Sequence, residues 1–222
     1  MKKLILFFAV CFSLSMATDS FGQLQKGNIL LGTSINLSGS NFNLPNGAPN
    51  GAGIFIGKSK SKFGQNEITD DIIMVNLSPQ VGYFILDNFV AGITLNIFNY
   101  NETDENNDEF TYNAFYGGPF ARYYFDLEKA NPYIFARAAF GGAKSSYSGS
   151  SNDDKTNISN IGAGVGIAIF LNNAVSLDAL FGYNFMKIED EDSTFNSENV
   201  NTNFAISIGF TYVLGVNTDS EN

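Results

Sequence analysis

The sequence predicts an all-β fold, an eight-stranded antiparallel up-and-down transmembrane β-barrel. Three observations predict it: stretches in which apolar residues alternate with small or polar ones, the regular order of these stretches, and connections that are alternately short and long. Alternation with a period of two gives a strand one apolar face. Several stretches exceed the about 5–6 residues usual in soluble proteins and suit the roughly 9–11 that a tilted strand needs to cross a bilayer.

The last strand, Asn203 to Leu214, shows this alternation most clearly. Its apolar positions are Phe204, Ile206, Ile208, Phe210, Tyr212 and Leu214. The positions between them are small or polar as far as Thr211. We therefore expect a strand with one face toward lipid and one compact face toward the lumen.

Seven earlier stretches repeat the pattern. With the last strand, the predicted ranges are about Asn28–Ser38, Ile72–Leu86, Phe89–Ile97, Phe110–Phe125, Pro132–Gly142, Ile158–Leu171, Val175–Phe185 and Asn203–Leu214. In the sixth strand the lumen-facing set is Gly162, Gly164 and Gly166, which leaves some volume inside. Pro79 and Pro119 cannot donate to a strand ladder, so we expect a β-bulge at each.

The connections fall into two classes. Three are short turns, at Asp87–Asn88, Asp126–Asn131 and Asn172–Asn173. Four are long and polar, at Gly39–Asp71, Asn101–Glu109, Lys144–Asn157 and Glu189–Asn201. Within the first long one, Ile54–Phe55–Ile56 is apolar enough to extend a hairpin beyond the membrane. Aromatic residues gather near both kinds of connection, which predicts two girdles at the membrane interfaces: Tyr83, Phe89, Tyr123, Phe125, Tyr133 and Tyr212 near the turns, and Tyr100, Tyr112, Tyr183 and Phe185 near the loops.

The first 22 residues are predicted to be a signal peptide. Lys2 and Lys3 precede an apolar run that is too short to span a membrane, and cleavage could follow Ala17 or Gly22. Cys11 lies in this run, so the exported chain has no cysteine for a disulfide. We expect the barrel to occupy residues 23–214, followed by a tail of residues 215–222 that is too short for a cell-wall-binding domain.

Composition excludes several functions. The net charge of −10 argues against nucleic acid, which requires a basic surface. The chain contains no histidine, so catalytic pairs of serine or cysteine with histidine and histidine metal sites are unavailable. We therefore expect neither an enzyme nor a cofactor.

The best candidate site is a polar network in the lumen. The chain has two arginines, and a charge on the lipid face costs roughly 2–4 kcal/mol at mid-depth, so both should point inward. The expected members are Arg122, Arg137, Asp178, Gln80, Asn96 and Asn184. Such a network either plugs the barrel with paired charges or lines a narrow path for solutes, and the width of an eight-stranded barrel favours the plug.

Acidic residues cluster in the long connections. None of them has the spacing of a dedicated calcium loop, so solvated loop tips are favoured over a divalent-cation site, which stays open as an alternative. The lysines at Lys58, Lys60 and Lys62 could contact anionic surface sugar or the acidic loops.

The stretches Pro79-Gln80-Val81-Gly82-Tyr83-Phe84 and Pro119-Phe120-Ala121-Arg122-Tyr123-Tyr124-Phe125, with the signal peptide and eight amphipathic strands, resemble the small porin-like outer-membrane β-barrels of Bacteroidota, similar in architecture to OmpA and OmpX. The resemblance implies an outer-membrane location, contact with its lipid, and both termini in the periplasm. It also implies recognition by the outer-membrane assembly machinery through Ser207, Gly209, Tyr212 and Leu214, although Leu214 replaces the usual final aromatic residue.

The sequence thus predicts an integral outer-membrane protein with a structural or surface-contact role, serving envelope integrity or adhesion through its acidic loops. Partners on that surface would be polysaccharide or protein. The alternative is a narrow porin-like passage for small solutes. A third possibility, a secreted lipid-binding barrel, would require apolar residues inside and polar residues outside.

Overall fold

The computed structural model describes residues 24–36, 53–63, 66–104, 107–127, 130–150, 153–190 and 198–215. The described chain is mostly strand, and the strand bounds are β1 Ile29–Asn36, β2 Gly53–Phe63, β3 Asn66–Leu77, β4 Gln80–Leu86, β5 Phe89–Thr103, β6 Glu109–Tyr124, β7 Ala130–Tyr147, β8 Asp154–Phe170, β9 Val175–Asp190 and β10 Glu198–Leu214. Within these ranges, no helix has the length and apolarity needed to cross a membrane. The predicted signal peptide and the tail after residue 215 lie outside the described residues.

The strands form one closed antiparallel sheet in the order β2-β3-β5-β4-β1-β10-β9-β8-β7-β6, which the pairing of β5 with β6 completes. The strands β3 and β4 follow one another along the same neighbour, β5. β1 pairs with β4, and β2 pairs with β3. β1 and β2 together therefore occupy the next position in the wall, beside the position that β3 and β4 share. Counted around the wall, the barrel is therefore eight-stranded and up-and-down, as predicted.

The first and last strands join the two ends of the sheet. Ile29 pairs with Leu214, and the register continues to Asn36 and Ser207. Both described chain ends therefore lie at the end of the barrel that carries the short turns. We call this the inner end, and the end with the hairpins β5–β6, β7–β8 and β9–β10 the outer end.

The two faces of the wall follow the alternation. Many outward side chains are large, apolar and exposed, among them Ile93, Phe115, Ile134, Ile161, Val165, Phe181, Phe204 and Phe210. Inward side chains are buried, and they include both polar and apolar residues. An apolar exterior contradicts the third possibility, a secreted lipid-binding barrel. It is the surface that lipid requires of a transmembrane barrel.

The strands extend farther than alternation predicts. Strand structure continues into three of the four predicted long loops, because β5, β7 and β9 run on to Thr103, Tyr147 and Asp190. The first loop contains the hairpin β2–β3, which includes Ile54–Phe55–Ile56 as predicted. Outside the bilayer both faces of a strand contact water, so a strand there needs no apolar alternation.

Neither predicted proline bulge is present. The pairing with β5 keeps one register from β3 through Pro79 into β4, and Pro79 still accepts a hydrogen bond from the Leu95 amide through its carbonyl. The β5–β6 register also continues unchanged through Pro119. The irregularity in β4 lies instead between Phe84 and Leu86, beside the tight turn.

The predicted aromatic girdles are correct only in part. Tyr83, Tyr123, Phe125, Tyr183 and Phe185 are exposed on the outer surface. In contrast, three assigned tyrosines are buried in the lumen: Tyr100, Tyr112 and Tyr133. Their positions follow the phase of their own strands, since Tyr133 lies one residue from the outward Ile134. The girdle prediction for these three tyrosines was wrong because it rested on proximity to a turn or loop. The phase of each strand instead predicts a position in the lumen.

Candidate functional site

The centre of the lumen is organised around Arg122 of β6. Its Nη1 lies 2.9 Å from Asp178 Oδ2 of β9 and donates at 3.3 Å to the Tyr124 hydroxyl, and its Nη2 donates to Gln80 Oε1. The side chains of Arg122 and Asp178 are each only 6 % exposed. Isolated charges are costly in such a place, and this pair reduces the cost because both members are hydrogen-bonded.

Three aromatic rings surround the Arg122 guanidinium. Its carbon lies 5.7, 5.1 and 5.5 Å from the ring centroids of Phe120, Tyr133 and Phe135. These distances suit cation–π attraction, which is strongest where water is excluded. The Arg122 Nε has no hydrogen-bond partner among the described residues. The residue is thus held by rings on several sides and by acceptors at its tip.

Asp178 receives more donors than the arginine alone supplies. Ser176 donates to its Oδ1 at 2.6 Å, and Thr211 donates to its Oδ2 at 2.7 Å. Both hydroxyls are buried and come from β9 and the adjacent β10. The sequence analysis did not identify Ser176 and Thr211 as members. Their inward phase was available as a signal, since each alternates with outward apolar residues.

Arg137 of β7 lies in the same region and has a different environment. Its Nη2 donates to Asn184 Oδ1 at 2.9 Å, and its Nε has no partner among the described residues. A Cβ on Gly162, which is paired with Arg137 in the β7–β8 register, would approach Asn184 Oδ1 to 2.6 Å and Arg137 Nε to 3.3 Å. The absent side chain of Gly162 therefore makes room for the Arg137–Asn184 pair.

Asn96 lies apart from the charged residues. Its Oδ1 accepts a hydrogen bond from the Ser78 hydroxyl at 3.0 Å, and its Nδ2 approaches the Tyr116 carbonyl at 3.5 Å. Of the six predicted lumen residues, the structure thus groups Arg122, Asp178 and Gln80, pairs Arg137 with Asn184, and places Asn96 in a separate polar contact.

Apolar side chains fill the lumen on the inner side of the charged centre. Six of them are at most 2 % exposed: Leu30, Phe84, Val90, Tyr124, Tyr133 and Ala168. Leu24, from the segment before β1, joins this cluster, and its carbonyl accepts a hydrogen bond from the Asn88 amide at 2.6 Å. We call this set the inner plug, and it closes the barrel at the turn end.

A second buried cluster lies toward the outer end. It consists of Phe98, Tyr100, Tyr112, Ala114, Tyr116, Ala139, Ala143, Ile158 and Met186. The Phe98 and Tyr112 rings meet edge to face with their centroids 5.9 Å apart. The lumen is therefore layered, with apolar clusters on both sides of a polar centre.

The inward glycines of β8 do not leave open space. A Cβ on Gly166 would lie 2.6 Å from the Tyr133 hydroxyl, and Gly162 is covered by Arg137 and Asn184. Between the two arginines a cavity of about 30 Å³ remains, lined by Ser34, Arg122, Arg137, Asp178, Asn184 and Ser207, among others. That volume accommodates about two water-sized particles.

Two further sets of predicted residues have definite positions. Ser207 and Gly209 of β10 face the lumen, whereas Tyr212 and Leu214 are half-buried beside β1. At the outer end, acidic residues pair with lysines at 2.7 Å in Lys144–Asp153 and Lys187–Glu189. Among the described residues, no three histidine, cysteine or carboxylate side chains are grouped as a metal site would require.

Comparison with solved structures gives similar barrels at low identity. Neisserial surface protein A is 15% identical over 83% of this chain and 95% of its own, with a TM-score of 0.42. The outer membrane protein OprG from Pseudomonas aeruginosa is 13% identical over 88% and 100%, with a TM-score of 0.43. The attachment invasion locus protein Ail of Yersinia pestis is 16% identical over 86% and 100%, with a TM-score of 0.37.

The family comparison is more informative. No curated protein matches the chain significantly. The family described as "Outer membrane protein beta-barrel domain" matches residues 87–219, which contain β5 to β10. Five of the six predicted lumen residues lie in this range: Asn96, Arg122, Arg137, Asp178 and Asn184. With that match over more than half its length, and with a closed eight-stranded wall that is apolar outside, the chain belongs to the outer-membrane β-barrel protein family.

Proposed function

We propose that this outer-membrane barrel is a closed, non-enzymatic structural protein that contributes to envelope integrity or adhesion through its outer hairpins. The observation that carries the proposal is the filled lumen. Among the described residues, the inner plug, the Arg122–Asp178 pair and the second buried cluster occupy successive layers, with a cavity of about 30 Å³ at the level of the pair. A barrel of eight strands has an interior just wide enough for such side chains.

The outer hairpins supply the surface for contact. They end in acidic segments, and Asp104 and Asp108 shape the β5–β6 tip through a hydrogen bond of 2.8 Å from the Asp108 amide to the Asp104 carboxylate. We propose surface polysaccharide or protein as the partner, with divalent cations bridging the acidic segments to acidic sugar. The outer-membrane lipid contacts the exposed apolar side chains on the outside of the wall.

The remaining features of the proposal rest on the sequence. They are export by residues 1–22, recognition by the assembly machinery through Ser207, Gly209, Tyr212 and Leu214, and an origin in Bacteroidota. The absence of histidine from the chain supports a non-enzymatic role.

The second candidate is a narrow passage for small solutes. The polar cavity beside Arg137 favours it, since a charged side chain at mid-lumen could select ions. The volume that the β8 glycines were expected to leave does not favour it, because Tyr133, Arg137 and Asn184 occupy that volume.

Single-channel recording in planar bilayers distinguishes the two candidates. We expect the refolded protein to show no steady conductance, and a Tyr124→Ala/Tyr133→Ala variant to conduct because it removes two rings of the inner plug. Steady, ion-selective openings of the unaltered protein that change with Arg122→Ala or Asp178→Ala would establish the passage instead. If the barrel does not conduct, shortening the tip of each outer hairpin with its wall strands kept, followed by a cell-adhesion assay, tests the contact role.

A further inference from the structure

We propose that the lumen holds one bound monovalent inorganic anion of about the size of chloride, in the cavity that Arg137 lines together with Ser34 and Ser207. The first step is a count of charge. The ionic side chains at the centre of the barrel are Arg122, Arg137 and Asp178, and the carboxylate of Asp178 already faces Arg122 at 2.9 Å. Two cations against one anion leave a net charge of +1 in a water-poor interior.

Arg137 is the residue left without a counter-charge. Within the described ranges of the chain, no carboxylate oxygen lies within 4.0 Å of its guanidinium, and Asn184 is its hydrogen-bond partner. Glu102, which has the inward phase of its strand, lies ten residues farther along β5 than Gly92, which shares the register of Phe120 and Arg137. At about 3.3 Å per residue, Glu102 is roughly 30 Å away along the strand.

Arg122 shows how the charge of an arginine is compensated in the same lumen. Three rings cover its guanidinium, and Asp178, Gln80 and Tyr124 accept from its tip. Arg137 has no ring within cation–π distance among the described residues, and its side chain lines the cavity. Arg137 is partly buried, and a cation without a counter-charge is costly even there, so an anion in that cavity would stabilise the folded barrel.

The lining suits an anion in its chemistry and its size. Beside the guanidinium, the hydroxyls of Ser34 and Ser207 can donate hydrogen bonds, and neither makes a side-chain hydrogen bond elsewhere in the described structure. Asp178 also lines the cavity, but Arg122, Ser176 and Thr211 already donate to its two oxygens. The volume of about 30 Å³ admits a halide and excludes bulky organic anions.

Thermal unfolding of the refolded barrel in detergent tests the site at fixed ionic strength. We expect Tm to be about 2–4 °C higher in sodium chloride than in sodium gluconate. For a protein of this size, that shift corresponds to an increase of about five- to tenfold in the folding equilibrium constant when the anion binds. Arg137→Gln should abolish this difference. Lys155→Gln, which removes one exposed positive charge, should preserve it.

A direct measurement covers the case in which Arg137→Gln fails to fold. In crystals of the unaltered protein soaked in bromide, we expect an anomalous peak in the central cavity within hydrogen-bond distance of the Arg137 guanidinium. Equal Tm values in chloride and gluconate, or a chloride effect that survives in Arg137→Gln, would overturn the proposal. So would a bromide-soaked crystal with peaks only on the outer surface.

Discussion

The guanidinium of Arg122 and the carboxylate of Asp178 meet across the lumen with Nη1 and Oδ2 2.9 Å apart, although 56 positions separate the two residues in the chain. They lie on β6 and β9, with β7 and β8 between them in the wall. The contact therefore spans the interior and ties opposite sides of the barrel together.

Removing one member of this pair should destabilise the barrel strongly. Asp178→Asn leaves Arg122 buried without a counter-charge, and we expect a loss of about 3–5 kcal/mol in the free energy of unfolding. Urea titration of the refolded protein, followed by its heat-modifiable migration on a gel, measures the loss.

A double variant provides the control for this prediction. Arg122→Met/Asp178→Leu replaces both charges by apolar groups of similar volume, and its stability should lie much closer to that of the unaltered protein. Unaltered stability of Asp178→Asn would show that the ion pair does not hold the lumen together.

The Tyr133 ring depends on the absence of a side chain at Gly166, its partner in the β7–β8 register. A methyl group there would lie 2.6 Å from the Tyr133 hydroxyl and closer still to the ring. Gly166→Ala should therefore displace Tyr133 and destabilise the barrel by about 1–3 kcal/mol, as overpacking does. The effect is measured by urea unfolding.

Gly32→Ala is the matched control for Gly166→Ala. Gly32 also faces the lumen from a strand, but a Cβ there would come no closer than 3.4 Å to any neighbour. We expect the two variants to differ clearly in unfolding midpoint, and equal midpoints would mean that the ring can move aside without cost.

The outward face should reject charge. Phe181 is half exposed on the lipid side of β9 and stacks on Phe204 at a centroid distance of 5.6 Å. Phe181→Arg should cost roughly 2–4 kcal/mol at mid-depth and reduce the yield of folded barrel in lipid vesicles. Ile167→Arg should act similarly from β8. Phe181→Leu should fold almost normally, and a normal yield of Phe181→Arg would place this surface outside the bilayer.

The tight turn between β4 and β5 depends on Asn88, whose φ is +65°. Asparagine adopts this left-handed conformation more readily than branched residues do. Asn88→Val should lower the free energy of unfolding by about 1–2 kcal/mol, whereas Asn88→Gly should be neutral or slightly stabilising. If both variants have the same urea midpoint, the turn adopts another conformation without penalty.

Alternation of residue type predicted the strand number, the outward faces and the inward position of both arginines, because lipid imposes a period of two on every crossing strand. It did not predict how far β5, β7 and β9 extend, since outside the bilayer no such constraint acts. The assignment of Tyr133 to a girdle was wrong for a different reason, because it rested on proximity to a turn and not on alternation.

Which lumen residues contact one another was harder to predict than which residues face the lumen. Which inward side chains meet depends on the register and on the curvature of the wall, and neither is written in a single strand. The grouping of Arg122 with Asp178, the isolation of Asn96 and the position of Arg137 over Gly162 all depend on pairing between strands. Strand phase is a local property, whereas lumen contacts are set only by the closed barrel.

The contact between β1 and β10 has a consequence for the order of assembly. Each pairing from β5 to β10 joins strands that are consecutive in the sequence. The pairing of β1 with β10, in contrast, joins Ile29 to Leu214, which are far apart in the sequence. Loop-closure entropy makes such a distant pairing the slow one. The charged centre, which lies mainly on β6 to β9, loses its water when the wall curls shut. We therefore expect the pairing of β1 with β10 and the dehydration of the charged side chains to occur together, in one late and rate-limiting step.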